Sequence, residues 1–143
     1  MPILLKRAYE KPSPRDGTRV LVDRLWPRGV SKRAAALHAW LKDVAPSHVL
    51  RRWFHARPRH WQMFRKRYLL ELSNPAAEQA LEELYELAAR RRPLTLVFSS
   101  RNPEHNNAAV LKQLLEGMRK PPSSSGGAAA AGLRARARAS RRR

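Results

Sequence analysis

The chain contains no cysteine among its 143 residues. Disulfides, thiolate metal sites and cysteine nucleophiles are therefore excluded. No apolar run approaches the roughly 18 residues that a membrane-spanning helix needs, and the first residues carry charges too early for a secretory signal. These absences predict no membrane span and make the cytoplasm the expected compartment.

Acidic residues are scarce, with 11 Asp and Glu against 30 Lys and Arg, for a formal net charge of +19. Residues 119–143 hold eight of the basic side chains and no acid, so the other 118 residues keep 22 basic and 11 acidic ones, a balance of +11. Such a field attracts polyanions, including nucleic acid, nucleotides and acidic membrane surfaces. An alternative is that coding drift in a GC-rich genome placed Arg at tolerant surface positions.

The length and an apolar share of 43% fit one domain with a small core. We assign this domain to residues 1–118. Residues 119–143 begin with Pro, Ser and Gly and continue with Ala/Arg repeats, a composition that buries too little apolar area to fold. We therefore predict a disordered basic C-terminal tail.

Apolar patterning in the domain predicts strands that alternate with helices. Strands are predicted over residues 3–9, 19–24 and 94–98, and helices over 31–36, 47–54, 59–72, 75–91 and 105–118. Residues 37–44 fit either a helical stripe or a short extended segment. The order predicts an α/β fold, with a small and mainly parallel sheet of three or so strands covered by helices.

Most aromatic residues and histidines fit ordinary structural roles. Trp40, Trp53, Trp61 and Tyr68 are predicted to lie in the core, because their spacing suits buried faces. Four histidines, His38, His48, His55 and His60, lack partners at metal-ligand spacing. Neither a metal nor another cofactor is therefore predicted.

Polar clusters follow two of the predicted strands. Asp23, Arg24, Trp26 and Arg28 come after the second, and residues 99–107 come after the last. Ligands of open α/β sheets bind beyond the carboxyl ends of the strands. Guanidinium groups and a helix N-terminus favour an anion such as phosphate or carboxylate. We therefore predict a nucleotide-like or phosphorylated ligand, with these contacts: Arg24, Trp26 as a stacking surface, Arg28, Arg101, Asn106 and Asn107.

A catalytic role is a further hypothesis for the same cluster. Histidine side chains can exchange protons at physiological pH, so His105 is a candidate acid or base, and Glu104 or Asp23 could orient it or act as the base. Ser99 and Ser100 are candidate nucleophiles, but no G-x-S-x-G motif or Gly-rich phosphate loop accompanies them. The reaction class stays open.

Structural alternatives exist for each candidate. Asp23 can form a buried ion pair with Arg24 or Arg101 that fixes the sheet. Trp26, which precedes a proline, can close the end of the sheet. Residues 104–107 can serve as a helix cap with a hydrogen-bonded loop.

Several strings of residues resemble the YeaO-like family. They occur in order between residues 3 and 117. They are Leu5-Lys-Arg7, Gly17 to Gly29 (which ends Val-Asp-Arg-Leu-Trp-Pro-Arg-Gly), Lys32, Trp40 to Ser47, Leu50 to Phe54, Trp61 with Phe64 and Tyr68, and Glu104-His-Asn-Asn107. The family is one of unknown function. The resemblance implies a small α/β sandwich and a site, but no reaction.

The chain departs from the family pattern twice. Where the family has Gly-His-Asp-Pro, this sequence has His55-Ala-Arg-Pro58, and Asn102-Pro103 follows Arg101 where the family carries acids. The resemblance therefore carries over no role for that histidine or those acids. Two hypotheses remain: a protein that binds a small anion at the strand ends, and a nucleic-acid-binding accessory protein that uses its basic surface and Arg-rich tail.

Overall fold

The computed structural model describes residues 2–118. Within them, four strands form one sheet in the order β1-β4-β2-β3, and every pairing is parallel. The strands are β1 (Ile3–Arg7), β2 (Thr18–Leu21), β3 (Ala39–Trp40) and β4 (Leu94–Phe98). The predicted α/β class with a parallel sheet is confirmed, whereas the predicted tail over residues 119–143 lies outside the described residues.

β3 settles the segment that fitted either helix or strand. Ala39 pairs with Val20 and Trp40 pairs with Leu21, which makes this segment a short edge strand. A single 3-10 turn, Lys42–Val44, then leads away from the sheet. The extended alternative for residues 37–44 is therefore confirmed.

The described residues also form five α-helices, which are α1 (Lys32–Ala35), α2 (His48–Ala56), α3 (Trp61–Glu71), α4 (Pro75–Ala88) and α5 (Asn107–Met118). Side-chain oxygens of Ser31, Ser47 and Asn74 accept backbone N–H bonds at the first turns of α1, α2 and α4. Such caps satisfy amide protons that have no partner inside the helix. Among residues 2–118, no helix has the length and apolar character needed to cross a membrane.

The main core lies between one face of the sheet and helices α2 to α5. Alternate residues of the central strands, such as Val20, Leu96 and Phe98, point into it. Tyr68 is fully buried there, while Trp53 and Trp61 pack at its edge. A smaller apolar cluster covers the other face, where Leu37, Trp26 and Trp40 pack on Ala8, Leu21 and Val97.

A charged cluster is also buried on this second face. Asp16 accepts hydrogen bonds from Arg19 Nη1 at 2.7 Å and from Lys6 Nζ at 3.1 Å, and Arg19 donates from Nε and Nη2 to the carbonyl of Ala35. Burial by itself would raise the pKa of Asp16, but hydrogen bonds from the Ser13 backbone, Lys6 and Arg19 lower it below its ordinary value. The cluster joins β1, β2 and α1.

Candidate functional site

The centre of the candidate site is Asp23, just beyond the carboxyl end of β2. Its Oδ2 accepts the backbone N–H of Ser99 at 2.9 Å, and its Oδ1 accepts an amide N–H of Asn107 at 3.1 Å. The same amide nitrogen of Asn107 donates to the carbonyl of Val22 at 2.9 Å. One carboxylate therefore ties together the ends of β2 and β4 and the first residue of α5.

Asp23 has no cationic partner at ion-pair distance among residues 2–118, where all salt bridges involve Asp16. The interpretation of Asp23 as the ion-pair partner of Arg24 or Arg101 is therefore wrong. Burial raises the pKa of Asp23, although hydrogen bonds from Asn107 and Ser99 and the charge of Arg51 oppose the rise. Two neutral donors therefore account for both oxygens of this carboxylate.

Arg24 points away from Asp23. Its Nε donates to the carbonyl of Pro46 at 3.2 Å, and its Nη2 donates to that of Ala45 at 3.0 Å. These bonds fix the loop before α2, which Glu71 also holds by accepting from the Ser47 backbone and hydroxyl at 2.8 and 2.6 Å. Arg24, Ser47 and Glu71 line an open depression of about 370 Å³, but these bonds already engage the guanidinium and the carboxylate.

Tyr68 is a polar neighbour of Asp23 that the sequence analysis assigned only to the core. Its hydroxyl donates to the carbonyl of Val44. Burial raises its pKa well above 10, and the negative charges of Asp23 and Glu71 add to the rise while Arg24 opposes it. A tyrosine at a buried helical position requires a hydrogen-bond partner for its hydroxyl. The sequence could have indicated a polar contact at Tyr68 on that ground.

Trp26 and Arg28 lie apart from the Asn107 side of the cluster. The Nε1 of Trp26 donates to the carbonyl of Val30 at 2.6 Å, and its ring meets Trp40 edge-on at 5.3 Å between centroids. Trp40 in turn donates from Nε1 to the carbonyl of Asp23 at 2.7 Å. Trp26 therefore packs on the sheet face opposite the main core, and Arg28 is exposed.

The loop after β4, residues 99–106, is called here the strand-end loop. Arg7 anchors it by donating from Nε to the carbonyl of Ser100 at 2.9 Å and from Nη2 to that of Ser99 at 3.3 Å. Inside it, Asn102 Oδ1 accepts the N–H groups of Glu104 and His105, and Asn106 Oδ1 accepts that of Ala109. Asn106 is thus buried as a cap, and α5 begins two residues later than predicted.

Two groups of the strand-end loop bear on ligand binding. The Ser99 hydroxyl is buried and forms no hydrogen bond of normal geometry within residues 2–118, but it lies beside Asp23 and its interaction with that carboxylate lowers the pKa of Asp23. Arg101 is exposed two residues further on. Buried polar atoms normally have a partner, so the Ser99 hydroxyl requires an explanation.

The three catalytic candidates are not connected to one another. The His105 ring stacks on Trp61 with centroids 4.5 Å apart and planes 7° apart. Among the described residues, no side-chain hydrogen bond links His105 to Asp23 or Glu104, and Glu104 is exposed. In the same range, no group of three or more His, Asp and Glu residues is placed to hold a metal ion.

The fold and this site define a small parallel α/β domain with a carboxylate fixed by neutral donors at the carboxyl edge of its sheet. The chain belongs to the family described as the inactive DUF488-N3 subclade, whose profile matches residues 2–129. This result agrees with the resemblance to YeaO-like proteins found in the sequence.

Similar proteins carry no assigned function in their names. The uncharacterized protein YeaO of Escherichia coli (strain K12) is 42% identical over 118 residues, which cover 82% of this chain and 100% of that protein. The uncharacterized proteins Rv3073c of Mycobacterium tuberculosis (strain H37Rv) and Mb3100c of Mycobacterium bovis are each 44% identical over 115 residues, 80% of this chain and 94% of theirs. No solved structure shows significant similarity to the chain.

Proposed function

We propose that this protein is a non-catalytic domain that binds a phosphorylated or nucleotide-like small ligand at the strand-end loop. The observation that carries the proposal is the exposed guanidinium of Arg101 on the strand-end loop, two residues after the Ser99 hydroxyl, which forms no hydrogen bond of normal geometry within residues 2–118. A hydroxyl and a guanidinium both donate to phosphate oxygens, and the guanidinium does so in a planar fork. Such a ligand is a metabolite of the cytoplasm, which is the compartment that we propose.

The ligand contacts differ from the full set predicted by the sequence. Arg101 is retained as the charged contact, and Asn106 and Asn107 act by holding the loop and Asp23 in place. Arg24 is occupied by two carbonyls. The stacking role predicted for Trp26 passes to the His105–Trp61 pair, because His105 belongs to the strand-end loop and both rings are only partly buried.

A binding role is favoured over catalysis for two reasons. Both carboxylate oxygens of Asp23 already accept hydrogen bonds, so this group is not available as a base without breaking the joint between β2, β4 and α5. The description of the family as an inactive subclade supports the same choice. We therefore expect ligand binding by this chain without turnover.

The test is a thermal-shift titration of the full chain with nucleoside mono-, di- and triphosphates and with inorganic phosphate. A ligand that binds only the native state raises the free energy of unfolding, and with it the melting temperature. At a ligand concentration of one hundred times the dissociation constant, the gain in free energy is about 2.7 kcal/mol. We expect this rise to be lost in Arg101→Ala and weakened in Ser99→Ala. Arg90→Ala, which removes an exposed charge at the opposite edge of the sheet, is the matched control.

The site assignment fails if Arg101→Ala and Arg90→Ala respond to every ligand as the unchanged chain does. It also fails if both variants lose the response equally, because general charge then explains the binding.

Binding of nucleic acid through the basic surface and the Arg-rich tail is the second candidate function. The charge balance of +11 outside residues 119–143 favours it, while those residues themselves lie outside the described part of the chain. This function predicts oligonucleotide affinity that falls steeply with salt and weakens when residues 119–143 are removed. Salt-insensitive binding would contradict it.

A further inference from the structure

The segment between Asp43 and Glu71, which includes α2 and all of α3 except its last residue, contains no acid. Between Asp43 and Glu71 there is no Asp or Glu, whereas seven Lys and Arg and three His occur there. The seven are Arg51, Arg52, Arg57, Arg59, Arg65, Lys66 and Arg67. We call residues 48–71, which hold both helices, the basic hairpin.

The charges of the basic hairpin are exposed and are not neutralised at close range. Six of the seven side chains are exposed, and Arg65 is partly exposed, with its Nε donating to the neutral amide oxygen of Gln113 at 3.2 Å. None of the seven forms a salt bridge with an acid among residues 2–118. The hairpin therefore presents a concentrated positive field.

Trp53 brings two of these charges together. The guanidinium carbon of Arg67, from α3, lies 4.5 Å from the indole centroid, and that of Arg57, at the end of α2, lies 5.4 Å from it. The two guanidinium carbons are thus at most about 10 Å apart, the sum of those distances. That separation is comparable to the Debye length at ordinary salt, so the like charges repel. An anion bound between them removes this cost.

We propose that the basic hairpin is a surface for the phosphate backbone of a nucleic acid. Six of its seven basic residues are Arg, whose planar fork matches phosphate. His48, Arg51, Arg52 and His55 follow one another at helical spacing along α2, so they form a stripe roughly 10 Å long. The contacts are with phosphates, so binding has little choice of base sequence.

Other acidic partners fit these observations less well. Insertion into a membrane surface needs a continuous apolar face. The exposed apolar residues of the hairpin, Val49, Met63 and Leu70, are separated along the chain by basic residues. The seven basic residues belong neither to the strand-end loop nor to residues 119–143, so this proposal rests on the second candidate function and does not depend on the small-ligand proposal.

The experiment measures binding of labelled single-stranded and double-stranded oligonucleotides to the full chain at several salt concentrations. Arg57→Gln/Arg67→Gln is compared with Arg90→Gln/Arg91→Gln, which removes two exposed charges elsewhere and leaves the tail intact in both proteins. Each lost phosphate contact costs about eightfold in affinity at 0.1 M salt and lowers the salt slope by about 0.9, so two cost roughly 60-fold. Arg57→Lys/Arg67→Lys keeps the charge and is expected to keep the slope.

The proposal is supported if only the hairpin variant loses affinity and slope while its melting temperature stays native-like. If that variant unfolds, Arg51→Gln/Arg52→Gln carries the same expectation without touching Trp53. Equal losses in hairpin and control variants overturn the proposal, as does the absence of oligonucleotide binding. Binding only to vesicles of equimolar phosphatidylserine and phosphatidylcholine also overturns it and makes the surface a membrane contact.

Discussion

Two carboxylates flank β2 and are held in opposite ways. Asp16, before the strand, is 5% exposed and binds two cations, Arg19 and Lys6, and its pKa is lowered. Asp23, after the strand, is held by a backbone N–H and an amide, and burial raises its pKa. One end of β2 is therefore held by ion pairs to a carboxylate, and the other end is held by hydrogen bonds from neutral donors to a carboxylate.

This comparison explains which residues are left for a ligand. A cation next to Asp23 would form an ion pair with it, as Arg19 does with Asp16, and would not be available to a ligand. Because neutral donors hold Asp23, the nearby arginines serve other roles, with Arg24 on two carbonyls and Arg101 in solvent. Within residues 2–118, the loop after β4 therefore presents the exposed guanidinium of Arg101 two residues along the chain from the buried hydroxyl of Ser99.

The largest effect is expected for Asp16→Ala. The substitution leaves the guanidinium of Arg19, which is 5% exposed, without its carboxylate. Removal of one partner from a buried ion pair costs about 3 to 5 kcal/mol of the free energy of unfolding. Denaturant unfolding measures the loss, and Asp43→Ala, at an exposed acid, is the control. A loss no greater than that of the control means that the cluster contributes little to stability.

Asp23→Ala is expected to cost less, about 2 kcal/mol, because it leaves two neutral donors unpaired rather than a charge. The affected groups are the backbone N–H of Ser99 and one of the two amide N–H groups of Asn107, whose amide nitrogen keeps its bond to the carbonyl of Val22. The same unfolding measurement applies. A larger loss than that of Asp16→Ala reverses the comparison and makes Asp23 the principal joint of the sheet.

The pH dependence of stability separates the two acids by sign. Since the pKa of Asp16 is lowered in the native state, its stabilisation is present above its ordinary pKa of 3.8 and is lost as the pH falls through the native value. The pKa of Asp23 is raised, so its contribution is full below 3.8 and declines as the pH rises through its native pKa. The pH dependence of each contribution is measured from the unfolding free energies of the unchanged chain and both Ala variants across acidic pH. The gap from the unchanged chain is expected to shrink towards low pH for Asp16→Ala and towards higher pH for Asp23→Ala, and parallel curves contradict the assignment.

Arg101→Ala is expected to change stability least, by less than about 0.5 kcal/mol, because its side chain is exposed. Its effect is expected on the ligand instead. Unfolding without ligand and the thermal shift with ligand, measured on the same protein, separate the two effects. A large loss of stability without ligand makes Arg101 structural and removes the charged contact from the site.

Much of the fold follows from local patterns in the sequence. The apolar run of β4 is predicted with the bounds that the structure shows, and Ser31 and Ser47 mark the starts of α1 and α2. β3 has only two residues, and the spacing of Trp40, Leu41 and Val44 suits a helix equally well. Its pairing with β2 is a tertiary contact that periodicity does not contain.

The site was harder to predict for a physical reason. A sequence places Arg24 and Trp26 near the end of β2, but a long or large side chain can turn to either face. Arg24 donates to the carbonyls of Ala45 and Pro46, and Trp26 donates to that of Val30. These carbonyls are positioned as acceptors only in the folded chain. Asp23, by contrast, meets residues of the second predicted cluster, Ser99 and Asn107, because parallel strands end at the same edge.

An NMR titration of the full chain with the phosphorylated compound that gives the largest thermal shift tests the central claim most directly. We expect the backbone amide signals of residues 99–107 and of Trp61 to move with a single binding curve, and those of the seven Lys and Arg residues of the basic hairpin to stay in place. No movement in residues 99–107, or movement confined to the basic hairpin, contradicts a ligand site at the strand-end loop.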